Sequence, residues 1–101
     1  MAKKVNYSNF VKYDDHKLRY GLVPPEILEE LAKVFTYGAN KYKKDNWKLN
    51  TDIDRYTDAL FRHIEAWRMG EVKDPESGLL HLSHAMTNLG FIIYLIKRNS
   101  K

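Results

Sequence analysis

Three histidines, His63, His81 and His84, occupy positions where two amphipathic helices turn side chains inward, and imidazoles there point to a polar site between the helices. At about 100° per residue from Ile53 to Met69, the buried arc holds Ile53, Tyr56, Leu60, Ile64 and Trp67, with His63 at its edge beside Tyr56. Asp54, Asp58, Glu65 and Arg68 form the polar arc. From Leu79 to Arg98 the same count predicts Leu82, Ala85, Leu89, Ile92, Ile93 and Ile96 inward, with His81, His84 and Asn88 on the adjoining edge. Ser83, Thr87, Gly90 and Lys97 fall on the opposite, outward side. A buried polar group without a partner costs roughly 1–3 kcal/mol, so these rings must be satisfied. Metal ligation is one solution, and imidazole suits manganese, cobalt, nickel or zinc better than magnesium. Hydrogen bonding across a helical interface is the other, since His81 and His84 stand three apart on one face.

The elements that must position these rings follow from punctuation and period. Residues 1–22 have no sustained period and read as an extended arm with a turn near Asp14 and Asp15. Pro24 and Pro25 open a helix in residues 23–101, because proline suits a first turn and breaks an interior. Its inward arc is Ile27, Leu28, Leu31, Val34, Phe35, Gly38 and Tyr42. Residues 43–51 form a polar loop holding Trp47, after which Thr51 or Asp52 caps the second helix. Gly70 closes that helix, and Asp74-Pro75-Glu76 is the start signal for the third, with Asp74 as its N-cap. Glu29, Glu30, Asp58 and Glu65 lie on polar arcs and read as solvated; His16 has no spacing partner. Trp67 reads as core. The fold class is all-α, three main helices and an arm, completed as a bundle by a homodimer or homotetramer because the apolar stripes are too wide for three helices to cover.

Composition narrows the functions. A chain of 101 residues with 44% hydrophobic residues is one globular domain. The absence of cysteine excludes disulfides, thiolate zinc sites and cysteine nucleophiles. The apolar run FIIYLI is too short to span a bilayer and MAKKVNYSNF lacks a signal core, so the expected location is the cytoplasm, with no membrane partner. The net charge of +4 is spread among 13 carboxylates and no nucleic-acid motif accompanies it, which argues against a nucleic-acid polymer as partner. Two basic clusters, Lys12, Lys17 and Arg19, and Lys41, Lys43, Lys44 and Lys48, suit a small polyanion such as a nucleoside triphosphate. A His-Asp metal phosphohydrolase is disfavoured, because that class needs a His-Asp dipeptide and the histidines here are followed by Lys17, Ile64, Leu82 and Ala85.

The runs KYDDHKLRYGLVPPEIL, YGANKYKKDNW and RHIEAWRMGEVKDPESGLLHLSHAMTN resemble the phage dATP/dGTP diphosphohydrolase N-terminal family, grouped with the MazG-like all-α nucleotide pyrophosphohydrolases. The resemblance implies an oligomeric, metal-dependent enzyme of phage nucleotide metabolism in an infected bacterial host. It would cleave a purine deoxynucleoside triphosphate to monophosphate and pyrophosphate. The positions it carries over are Lys17, Arg19, Lys41, Tyr42, Asn46, Trp47 and Arg62 for the substrate, Glu71 and Asp74 for catalysis, and His63, His81 and His84, with Ser77 and Asn88 beside them. The chain departs from typical MazG-like enzymes, which hold magnesium on paired carboxylates; here the comparable inward positions are the histidines. Three arrangements follow: the histidines bind a divalent ion (Mn2+, Co2+ or Mg2+), or Glu71, Asp74 and phosphate oxygens hold it with the histidines behind them, or the chain sequesters nucleotides without cleaving them. Trp47 either stacks on a purine or packs its loop onto the helices.

Overall fold

The computed structural model describes residues 16–99, so the Asp14–Asp15 turn and most of the predicted arm lie outside the described residues. Three helices carry the fold, α1 (Pro25–Lys41), α2 (Ile53–Arg68) and α3 (His81–Asn99). Single 3-10 turns at Tyr20–Leu22 and Asn46–Leu49 precede α1 and α2. Among the described residues there is no strand, only one antiparallel bridge between Lys73 and Leu80. No helix among them is long and apolar enough to cross a membrane.

Local chemistry sets the boundaries. Pro25 stands at the start of α1, as predicted. Asp52, rather than Thr51, caps α2: its Oδ1 accepts from the Asp54 N–H at 3.0 Å. Gly70, at φ +100°, reverses the chain after α2. The Gly70 N–H donates to the Trp67 carbonyl at 2.9 Å, and the Glu71 N–H reaches back to the Ala66 carbonyl at 3.0 Å. This pair of bonds is a Schellman closure, and it fixes where Glu71 leaves the helix.

The third helix starts later than the proline signal predicts. Asp74 is not its N-cap; its Oδ2 accepts from the Ser77 N–H at 3.1 Å and the Ser77 hydroxyl at 2.9 Å. The Asp74 N–H donates to the Leu79 carbonyl, and the Gly78 N–H donates to the Asp74 carbonyl. Asp-Pro-Glu therefore builds a closed turn, and α3 begins only at His81, whose N–H donates to the Val72 carbonyl at 3.0 Å.

The α2 and α3 helices run antiparallel, since Tyr56 meets Phe91 at one end and His63 meets His81 and His84 at the other. From the other side α1 packs on α3, through Phe35 against Phe91 and Glu30 against Ser83. The buried apolar residues are Val34, Ala85 and Leu95. Beside them lies a polar interior of His81, Ser83, His84, Thr87 and Asn88, all from α3, with Thr87 only 1% exposed.

This rotates α3 from the predicted orientation: Ala85 stays inward and the edge residues His81, His84 and Asn88 become central. Ser83 and Thr87, expected outward, are buried; Leu82, Leu89, Ile93 and Ile96, expected inward, are exposed, Ile93 to 55%. Small side chains let α1 and α2 approach closely, and the wider apolar stripe faces away. Trp67, Ile27, Leu28, Phe35 and Tyr42 are likewise more exposed than their arcs predict. Glu30 is not a solvated acid: it accepts from the Ser83 hydroxyl at 2.7 Å and from Lys33 at 2.9 Å. The inward hydroxyl and amide bond within the helix, Thr87 to the Ser83 carbonyl and Asn88 to the His84 carbonyl, both at 2.9 Å.

Candidate functional site

The three histidines converge. Nδ1 of His63 lies 2.8 Å from Nδ1 of His81, and the His63 ring stacks on His84 with centroids 4.6 Å apart and an interplanar angle of 8°. Nε2 of His81 lies 2.7 Å from Oε1 of Glu71. Nε2 of His84 lies 2.7 Å from the Ser77 hydroxyl, which in turn donates to Asp74. The Schellman closure and the Asp74 turn thus deliver two acids to the ends of a histidine cluster.

Environment sets the charge states. Burial, reinforced by His84 and His81, lowers the His63 imidazole to about 4. Burial also pulls the His84 ring below its ordinary value, against the nearby Asp74 carboxylate. At Asp74 burial opposes ionisation, but the two Ser77 hydrogen bonds outweigh it and keep the acid below the ordinary range. Near neutral pH the His63 ring is therefore uncharged beside an ionised acid.

These rings do not form a ligand set. His81 lies between His63 and Glu71 with both nitrogens engaged, and among the described residues no group of three or more His, Cys, Asp or Glu is disposed to hold a metal ion. As arranged, the residues do not fit a three-imidazole metal centre.

Beside the cluster opens a cleft of about 870 Å³ between α1, the 43–50 segment, α2 and α3. Lys41, Tyr42, Asn46, Trp47, Arg62, His63, Asp74 and His84 all line it. Lys17 and Arg19 do not; they are exposed ahead of α1. Glu71 and His81 lie behind the wall, connected to it through His63.

Trp47 packs its loop onto the helices while lining the cleft. Its ring stacks on Phe91 at 4.7 Å, meets Tyr94 and Phe35 edge-on, and its carbonyl accepts from the Tyr56 hydroxyl. Also on the lining, Glu76 accepts from the Tyr37 hydroxyl at 2.6 Å and pairs with Lys41. The Lys41 ammonium and the Tyr37 hydroxyl hold the Glu76 carboxyl below its usual range.

Residues 8–101 match the family described as dATP/dGTP diphosphohydrolase, N-terminal. The chain belongs to that family. Over 86 residues it is 36% identical to a dATP/dGTP diphosphohydrolase of Salmonella phage PMBT28, a match that covers 85% of this chain and 29% of that protein. The chain thus spans less than a third of that relative's length. No solved structure matches.

Within this family member, sequence reasoning missed Tyr37 and Glu76 as a pair, and Asn50 and Arg55 on the cleft wall. The signal for Glu76 was present in the Asp-Pro-Glu run but was absorbed by its reading as a helix start. Arg55 gave none, because its arc position is that of a solvated base.

Proposed function

We propose that this chain binds a purine deoxynucleoside triphosphate in the cleft, dGTP first among the candidates, and hydrolyses it to the monophosphate and pyrophosphate. The observation that carries this reading is the cleft's lining: Lys43, Lys44, Arg55, Arg62 and the Glu76-paired Lys41 share one cleft with Asp45 and with the neutral His63 and ionised Asp74 that a hydrolytic step needs. Its volume suits a nucleotide-sized ligand. The name of the phage relative supports the reaction class, and its source supports a role in phage nucleotide metabolism in the cytoplasm of an infected bacterium. Tyr42 is an exposed ring on the wall with the Lys41 ammonium 5.1 Å from its centroid, and an aromatic there suits stacking on a base.

A water that attacks phosphorus loses a proton as pyrophosphate leaves. The acceptors on the wall are the Asp74 carboxylate and the His63 ring, whereas Glu71 acts only through His81. Arginine and lysine offset the phosphate charge, with Arg62 able to grip two oxygens at once. The divalent ion implied by the resemblance, Mn2+, Co2+ or Mg2+, enters this reading as part of the substrate, the metal–nucleotide complex. No step is assigned to a resident ion.

Sequestration without cleavage is the second reading, favoured by imidazoles that bond to each other and to acids rather than presenting free lone pairs. Pyrophosphate release and equilibrium binding, measured across dGTP, dATP and the pyrimidine nucleotides with each metal, separate the two. Hydrolysis predicts pyrophosphate from a purine substrate. Sub-micromolar binding with no pyrophosphate from any nucleotide would leave sequestration as the function.

We also infer a homodimer or homotetramer. Leu82, Leu89 and Ile93 recur at helical spacing on the face of α3 turned away from α1 and α2, an exposed apolar stripe that a second copy would cover.

A further inference from the structure

His63, His81 and Glu71 form a single hydrogen-bonded chain from the cleft to the surface. His63 lines the cleft, His81 is 4% exposed, and the Glu71 side chain is about half exposed. Two ring nitrogens 2.8 Å apart share one proton, and the far end of the chain decides which ring owns it. An ionised carboxylate only accepts, so the His81 nitrogen facing Glu71, Nε2, carries hydrogen. The resting arrangement taken for the chain leaves the lone pair of His81 on Nδ1, where it accepts from the Nδ1–H of His63. His63 is thereby the tautomer with its lone pair on Nε2. In that tautomer the lone pair of His81 is used inside the chain.

We propose that this chain is a proton relay in which Nε2 of His63 takes the proton of the attacking water, Nδ1 of His63 passes its own to His81, and Nε2 of His81 passes its own to Glu71. The proposal rests on the hydrolytic reading above. One proton enters at His63 and one arrives on Glu71, while the water oxygen bonds to phosphorus and the bond to pyrophosphate breaks. Both rings end neutral, each in its other tautomer. After the products leave, the reverse shift returns the proton through His63 to cleft water and restores the starting tautomers. His63 is the catalytic residue; His81 and Glu71 are positioning residues that act through it.

The arrangement solves a specific problem. An imidazolium at His63 is disfavoured by burial and by two neighbouring imidazoles, His84 and His81 on α3. The charged groups around it are Asp74 from the connection and Arg62 on its own helix, while Glu76 acts on His84 and Tyr37 from α1 stands edge-on to that ring. Passing the charge to an exposed carboxylate spares the buried ring from holding it.

The test uses the full chain with dGTP, reading pyrophosphate release between pH 5 and 9 alongside imidazole nitrogen NMR. Glu71→Gln still accepts the His81 N–H but cannot take a proton, so kcat should fall on the order of 10- to 100-fold with KM little changed. His63→Ala should lose turnover and recover part of it in dissolved imidazole. NMR should place hydrogen on Nε2 of His81 and Nδ1 of His63, and added Zn2+ should leave the His81 nitrogens unshifted. Undiminished kcat and an unchanged pH profile in Glu71→Gln, hydrogen on Nδ1 of His81, or zinc ligation by His81 would each overturn the relay. A wild-type chain that releases no pyrophosphate would overturn the hydrolytic reading itself, whatever the tautomers.

Discussion

A ring such as His63 serves its neighbours only while uncharged, and the same burial that keeps it neutral links folding to pH. Its value is about 4 in the folded chain against about 6.5 when unfolded, so the unfolded state binds the extra proton first. Stability should therefore be intact above about pH 6.5 and fall as pH drops from there towards 4. Thermal melts across that range should show the decline, and His63→Gln should flatten it; parallel curves for the two proteins would contradict the assignment. Trp47 makes a second prediction at this scale. Because its ring stacks on Phe91 and abuts Phe35 and Tyr94, Trp47→Ala should cost about 2–3 kcal/mol of stability, whereas Trp47→Phe should retain most of it. The histidine cluster was legible in the sequence because helical geometry alone puts His63, His81 and His84 near one seam. Glu76 and Tyr37 were not, since their contact depends on how the 69–80 connection closes, and no periodicity reports on that.

At the scale of elements, the connection between α2 and α3 does the positioning. Gly70 sits at φ +100°, where a side chain is strained, and its closure holds Glu71 against His81. Gly70→Ala should destabilise the fold by at least about 1 kcal/mol, a loss of roughly 4–8 °C in Tm. The same variant should lower kcat along with Tm, because Glu71 leaves the helix through that turn. Helix type and helix ends were readable from Pro24-Pro25, Asp52 and Gly70, which act through local backbone chemistry. The orientation of α3 was not. Its apolar residues run nearly all round, so the count chose the widest stripe, while the closest packing went to Ser83, Thr87 and Ala85, whose small side chains admit two neighbouring helices.

At the scale of the whole molecule, three helices bury only Val34, Ala85 and Leu95 among the large and small apolar residues described. The stripe of Leu82, Leu89 and Ile93 then predicts association: light scattering at micromolar concentration should give at least twice the 11.9 kDa chain mass. Leu89→Lys with Ile93→Lys should shift the mass towards the monomer, and a wild-type monomer with a cooperative melt would remove the inference. Whatever the assembly, the central claim concerns what the cleft does to a triphosphate. Phosphorus NMR of the wild-type chain with dGTP and Mn2+ removed by chelation before acquisition reads every product at once. The account predicts loss of all three triphosphate signals and growth of dGMP and pyrophosphate in equal amounts. Intact dGTP after prolonged incubation, or dGDP with inorganic phosphate in place of pyrophosphate, would contradict it.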